Sequence, residues 1–256
     1  MFIDTHTHLY LEDFNADRDE MIARAVKAGI DKFFLPNIDS TSVDVMHQLC
    51  EKYPKQCFPM MGLHPCSVKE NYKEELVIAY DLLNKRKYYA VGEIGLDLYW
   101  DQTFFAQQVE AFETQIQWAL DLNLPIVIHC RDAFNEIYDV LIKFKTLPKG
   151  IFHCFTGNAE QAEKVIALKN FKLGIGGVVT FKNSGLDKTL EQIDLKHIVL
   201  ETDSPYLTPV PYRGQRNESA YIGIIARRVA EVKNCNVGHL AEITTKNAIE
   251  IFGETI

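Results

Sequence analysis

No stretch of this chain is apolar for long enough to cross a bilayer, which sets aside helical membrane-span architectures. None of its six cysteines forms a CxxC pair, so a thiolate metal cluster is not expected. Cys50, Cys57, Cys66, Cys130, Cys154 and Cys235 are instead scattered as small buried hydrophobes would be in a reducing compartment. No basic segment followed by an apolar core opens the chain, so no signal peptide is read, and a cytoplasmic location is the expectation. Low-complexity tracts, short repeats and Pro/Gly/Ser linkers are missing too. With 256 residues and 47% hydrophobic content, the chain reads as one domain, 1–256, with a sizeable core. Positive charge is also in short supply: 27 Lys and Arg against 35 Asp and Glu give a formal net charge of −8. This argues against broad, non-specific nucleic-acid binding but leaves room for a local basic mouth.

What is present is a regular alternation of short apolar runs and amphipathic segments. Strands are expected at Phe2–His8, 32–36, 57–62, 88–93, 124–129, 150–153, 171–174 and 197–201. Helices are expected over 16–28, 41–53, 73–86, 104–122, 134–145, 158–168, 186–193, 218–233 and 238–252. The run Ile126-Val127-Ile128 is nearly continuous in apolar residues, as in strands covered on both faces. Eight strand–helix units suit an α/β fold of the single (β/α)8 barrel type. The rival is a doubly wound open sheet, but no Gly-rich phosphate loop follows the first strand.

Polar residues favour the barrel. His8, His64, Glu93, His129, His153 and Asp203 each fall at or just past the C-terminal end of an expected strand, where a barrel gathers its active site. Side chains alternate along a strand, so His6 and His8 share a face. The same parity sets His129 with Val127, His153 with Ile151, and Glu201 and Asp203 with Val199, all facing the interior. Four histidines and two carboxylates (His6, His8, Glu93, His129, His153 and Asp203) exceed what one tetrahedral ion needs. They suit two cations ~3.5–4 Å apart, bridged by Glu93 on the strand between the two halves of the donor set.

Taken in order, these segments resemble the TatD family of metal-dependent deoxyribonucleases. The resemblance is carried by Asp4-Thr5-His6-Thr7-His8, Gly62-Leu63-His64-Pro65, Gly92-Glu93-Ile94-Gly95-Leu96-Asp97, His129-Cys130-Arg131-Asp132-Ala133, His153-Cys154-Phe155-Thr156-Gly157, Glu201-Thr202-Asp203-Ser204-Pro205-Tyr206 and Arg213-Gly214-Gln215-Arg216-Asn217-Glu218. It implies that His6, His8 and Glu93 bind one ion with Asp203 nearby, and that Glu93, His129 and His153 bind the second. Its implied chemistry is hydrolysis of DNA phosphodiesters, exonuclease-like, by a metal-activated hydroxide, with Glu93 and Asp203 as catalytic carboxylates. Asp203 is the expected general base, with pure ligation as its plainer role. Nitrogen-rich donors favour Zn2+, Mn2+ or Co2+, while family members are also served by Mg2+.

Substrate contacts are expected from His64, Arg131, Lys182, Arg213 and Arg216, which would give an acidic protein a positive rim. Each has a bland counterpart. His64 could cap the turn before Pro65, Arg131 could pair with Asp132 or Asp97, and the other three could be solvated cations. Tyr206 and Trp100 could stack on a base or pack as lids. Asp4 shares the face of His6 and could orient a ligand. Glu201 shares a face with Asp203 and, if buried, needs a partner, for which Arg216 and a ligand histidine are the candidates. Competing functions are an amidohydrolase-type hydrolase of a small ester, amide or lactone, and a catalytically silent metal-binding protein; fold alone does not separate them.

Overall fold

Eight short parallel strands, the longest of seven residues, alternate with helices in a computed structural model that describes residues 1–253. The strands are β1 Phe2–Asp4, β2 Ile30–Leu35, β3 Cys57–Pro59, β4 Val91–Asp97, β5 Ile126–Arg131, β6 Gly150–Phe152, β7 Phe171–Ile175 and β8 Ile198–Leu200. The intervening and closing α-helices are α1 Arg18–Lys27, α2 Val43–Lys52, α3 Tyr72–Lys85, α4 Phe105–Leu122, α5 Phe134–Leu141, α6 Ala159–Ala167, α7 Leu186–Gln192, α8 Ile222–Val232 and α9 Val237–Phe252.

Continuous ladders join β1 to β3 and β4 to β8. Two seams close them into a ring. At one, Met61 N–H donates to Ala90 O (3.1 Å) and Gly92 N–H to Met61 O (3.0 Å). At the other, Thr5 N–H donates to Leu200 O (3.1 Å), Asp203 N–H to His6 O (2.9 Å) and His8 N–H to Ser204 O (2.8 Å). The result is a (β/α)8 barrel.

The parity argument holds inside it. Val127, Ile151 and Val199 pack together with Ile3, Phe34 and Phe58 as the barrel's own core. The second, larger core lies between strands and helices and includes Ile128, Phe152 and Leu200, the neighbours of opposite parity. The N-terminal end of the barrel is filled by α9: Phe252 stacks on Phe34 at 3.6 Å between centroids, and Phe34 stacks on Phe58 at 5.3 Å.

Some boundaries differ from expectation, with consequences for the site. The β1 ladder stops at Asp4, so His6 and His8 lie past it, held by the seam to Asp203 and Ser204. β4 starts at Val91 and runs to Asp97, which places Glu93 inside the strand rather than at its end. The glycines in Gly-Glu-Ile-Gly imitate a turn signal. Gly95 is there instead for close approach: it has φ +144°, and an added Cβ would collide with the backbone carbonyl of His129 on β5. Elsewhere local signals act as expected. α4 ends on Asn123 in the left-handed region (φ 52°), and Asn158 and Gln161 form a reciprocal capping box at the start of α6. No helix among the described residues is long and apolar enough to cross a membrane.

Candidate metal centre

Glu93 is the hub of the barrel mouth, 2% exposed, and its two carboxylate oxygens face different partners. Oε2 lies 3.0 Å from His6 Nε2 and 3.7 Å from His8 Nε2. Oε1 lies 2.7 Å from His129 Nδ1, 3.1 Å from His153 Nε2 and 3.4 Å from His64 Nε2. Asp203 Oδ1 completes the first side, 3.7 Å from His6 Nε2 and 3.6 Å from His8 Nε2. Three sets of donor atoms converge within 4.8 Å of one another: His6, His8 and Asp203; His6, Glu93 and His153; and His64, Glu93 and His129.

Hydrogen bonds on the far side of each ring decide which nitrogen faces inward. The Tyr10 hydroxyl gives its one proton to Pro36 O (2.6 Å), so at 3.1 Å it accepts from His8 Nδ1 and leaves His8 Nε2 to the centre. The Asp97 carboxylate accepts from His129 Nε2 (2.9 Å), leaving Nδ1 to the centre. Glu201, fully buried, accepts from His153 Nδ1 (3.2 Å) and from the Cys154 N–H, leaving His153 Nε2 to the centre. Such outer carboxylates set the tautomer and raise the donor strength of a ligating imidazole. His6 differs: both ring nitrogens are buried without a hydrogen-bond partner, although Nε2 points at Glu93. A buried polar group without a partner is costly, and a cation at Nε2 is what this donor set fits.

Charge is finely balanced. Burial alone would raise the Glu93 carboxyl, but His153, His6 and His64 together with the hydrogen bond to His129 hold it well below its ordinary range. Burial likewise opposes, and the imidazoles outweigh, at Asp203, which is also held low. Burial would lower His153 and His129. The carboxylates of Glu93 and Glu201 raise the first well above its usual value, and Asp97 and Glu93 raise the second. His64 is raised against burial by Glu93, whereas His6 is lowered by burial and by His153, whose ring stacks on it at 3.7 Å. The imidazoles of His64, His129 and His153, all raised by nearby carboxylates, offset the negative charge at the centre, and a divalent ion would take over that compensating role.

Of the expected site residues, His6, His8, Glu93, His129, His153 and Asp203 come together, and His64 joins them. His64 takes the capping role, Nδ1 accepting from Cys66 N–H (3.1 Å), while its Nε2 lies 3.4 Å from Glu93 Oε1. Arg131 does not pair with Asp132 or Asp97. Its guanidinium lies on the face of Tyr99 at 4.0 Å, while Asp97 is engaged by His129. Lys182 is exposed on the loop after β7, and Arg213, also exposed, stacks on Phe181 at 3.9 Å.

Arg216 forms two hydrogen bonds to Asp17 (2.7 and 2.8 Å) and one to Asp13 O (2.8 Å), so it ties the β8 loop to the start of α1. Asp4 does not orient a ligand ring. Its carboxylate accepts from Thr202 N–H (2.9 Å), Thr202 Oγ1 (2.6 Å) and Ser219 Oγ (2.7 Å), and burial pushes its carboxyl up to about 7. It braces β1 against the segment after β8. Tyr10 and Asp97 were not picked out as supports of the site by the sequence argument. Asp97 had a usable signal, because it shares strand parity with Glu93; Tyr10 had none.

A cavity of about 450 Å3 opens beside His153, lined by Cys130, Asp132, Phe134, Phe155 and Gln161. A larger depression of about 880 Å3 lies between α1 and α2, and none of the converging donors lines it.

Comparison with known proteins gives a consistent picture. The model of the TatD related DNase family matches residues 3–253. The uncharacterized metal-dependent hydrolase YabD of Bacillus subtilis is 37% identical over 98% of this chain and 99% of its own length. The 3'-5' ssDNA/RNA exonuclease TatD of Pectobacterium parmentieri is 31% identical over 97% of this chain and 98% of its own. Among solved structures, the TatD homologue YjjV of Escherichia coli superposes with a TM-score of 0.92 at 28% identity, covering 98% of this chain and 97% of that one. With the family model spanning nearly the whole barrel and full-length relatives above 30% identity, this chain belongs to the TatD-related DNase family.

Proposed function

We propose that the whole chain acts as one metal-dependent deoxyribonuclease domain that hydrolyses DNA phosphodiester bonds from a strand end, with two divalent cations at the mouth of the barrel. The observation that carries this reading is the division of Glu93, one oxygen towards His6 and His8 and the other towards His129 and His153. His6, His8, Glu93 and Asp203 would hold one cation, and Glu93, His129 and His153 the other. The donor set suits Zn2+, Mn2+ or Co2+, with Mg2+ as the oxygen-preferring alternative. Bound there, the cations supply positive charge that eases deprotonation of a water and offsets charge gathering on the phosphate.

The protein's own groups do the rest. Asp203 lies at the rim of the cluster, 13% exposed at its side chain, and is held as a carboxylate. It orients the attacking water, accepts its proton and returns a proton to the leaving oxygen. Glu93 keeps the two halves of the donor set in register. His64, past the end of β3, and Arg131, at the end of β5, would face the phosphate, and Lys182 and Arg213 would extend a positive rim over the loops after β7 and β8. This local rim supports an anionic substrate on an otherwise acidic protein. The exonuclease name of the Pectobacterium relative supports attack from an end, as does a mouth that admits a terminus more readily than a duplex middle. Six free cysteines support a reducing, cytoplasmic setting.

The test incubates metal-loaded protein with end-labelled single-stranded DNA and, in parallel, with a panel of simple esters and lactones. Progressive shortening of the DNA is the expected result. Turnover of the small esters alone would replace the nuclease reading with an amidohydrolase-type one.

A further inference from the structure

Two large aromatics beside the metal centre stand in solvent: Tyr99 is 53% exposed and Trp100 is 69% exposed. They are nonetheless held firmly. The backbone N–H groups of Tyr99 and Trp100 both donate to Asp97 Oδ1, at 3.0 Å each, while Asp97 Oδ2 accepts from His129 Nε2 at 2.9 Å. Leu98 N–H donates to Arg131 O (3.0 Å), and the Gln108 side chain accepts from Asp97 N–H (2.9 Å). A single buried carboxylate thus fixes the aromatic pair at a constant offset from His129. The two rings meet edge to face, 4.8 Å apart at 86°. Arg131 covers Tyr99 at 4.0 Å and lies over one side of Trp100 at 5.6 Å, while most of the indole stays in solvent. The guanidinium forms no ion pair among the described residues; the nearest expected acid, Asp97, is committed to His129.

An exposed indole on a rigid mount contributes little to folding, and a stacked guanidinium without a carboxylate is a free anion donor set. We propose that Tyr99, Trp100 and Arg131 form a stacking platform for an unpaired nucleobase next to the phosphate held at the metal centre. Trp100 takes the face of the base, Arg131 takes the neighbouring phosphate, and Tyr99 holds Arg131 in place by cation–π contact. In a duplex the same base is already stacked and paired, so the platform selects single strands. This rests on the reading of the site as one that acts on nucleic acid.

The experiment uses the full-length, metal-loaded protein and two 12-residue strands: oligo(dT), and an abasic strand with the same phosphates and no bases. The chain has two tryptophans, so a Trp118→Phe background leaves Trp100 as the sole indole reporter. Quenching of its fluorescence by oligo(dT) and not by the abasic strand is expected. Trp100→Ala should raise KM for oligo(dT) at least about fivefold, with kcat within about twofold, and leave the abasic strand unaffected. Trp100→Phe should restore most of the affinity. Absence of quenching by oligo(dT), or an equal KM change on both strands, would overturn the platform while cleavage of DNA still upheld the nuclease reading. Quenching without any cleavage would keep the platform and overturn the nuclease reading instead.

Discussion

Glu201 illustrates how a side chain that touches no substrate can set a ligand's strength. It is fully buried, spends one oxygen on His153 Nδ1 and the Cys154 N–H, and has no partner for the other. Glu201→Gln should weaken metal binding roughly 10- to 100-fold, as measured by calorimetric titration of the chelator-stripped protein. An unchanged affinity would reduce Glu201 to a packing role. Asp203→Asn keeps the shape and removes the proton acceptor, so kcat should fall by roughly 10²- to 10⁴-fold with the circular dichroism melt little changed. Near-normal turnover would take Asp203 out of the proton path. At this scale His129, His153 and Asp203 were legible because they keep the parity of Val127, Ile151 and Val199 in the barrel interior, whereas His6, His8 and Glu93 were legible only from their placement at strand ends, since the register shifts in β1 and β4 break the alternation before them. Tyr10 was not, because its hydroxyl reaches His8 only through a turn whose path no periodicity describes. The Arg216–Asp17 pair was not legible either, since the two lie 199 positions apart and long-range ion pairs leave no mark on local pattern.

Between elements, the tightest constraint is the contact of β4 with β5. Gly95 faces His129 across the pair, and its backbone has φ +144°. Gly95→Ala would force the strands apart where Glu93, His129 and Asp97 must align. A loss of roughly 2–4 kcal/mol in denaturant unfolding is expected, with activity lost as well. A stable, active variant would show that the ladder yields there at little cost.

The join between α1 and the β8 loop is electrostatic. Asp17 accepts from Arg216 and from Arg24, whose guanidinium also holds Glu218. These bonds hold the Asp17 carboxyl well below its ordinary range. A depressed acid stabilises the fold above its unfolded pKa of about 3.9, and that stabilisation fades as pH falls through the folded value. Asp17→Asn should therefore cost about 1 kcal/mol near neutral pH, after allowance for solvent screening, or about 2–4 °C in Tm. The gap should begin to narrow as pH falls below about 3.9 and should close only as pH passes the depressed folded value; a gap that did not narrow over this range would point to packing instead of charge. Helix and strand order was readable from apolar spacing, whereas the length of β4 was not, because its glycines serve interstrand clearance rather than a turn.

Over the whole molecule, the mouth gathers five imidazoles and two carboxylates into donor sets that a cation fits. Metal at 100 times its dissociation constant should stabilise the fold by about 2.7 kcal/mol, or about 5–10 °C in Tm, relative to chelator-treated protein. Coincident melts would mean that the centre is not a strong metal site. The eight-unit count made the barrel legible, but the sealing of its lower end was not, because α9 looks like any amphipathic helix until Phe252 is seen lying flat on Phe34. That seal closes the barrel on the side away from the converging donors. If the proposed nuclease reading holds, a strand end would have to come and go on the same side, and the cut fragment would have to clear that side before the shortened strand could be drawn in again.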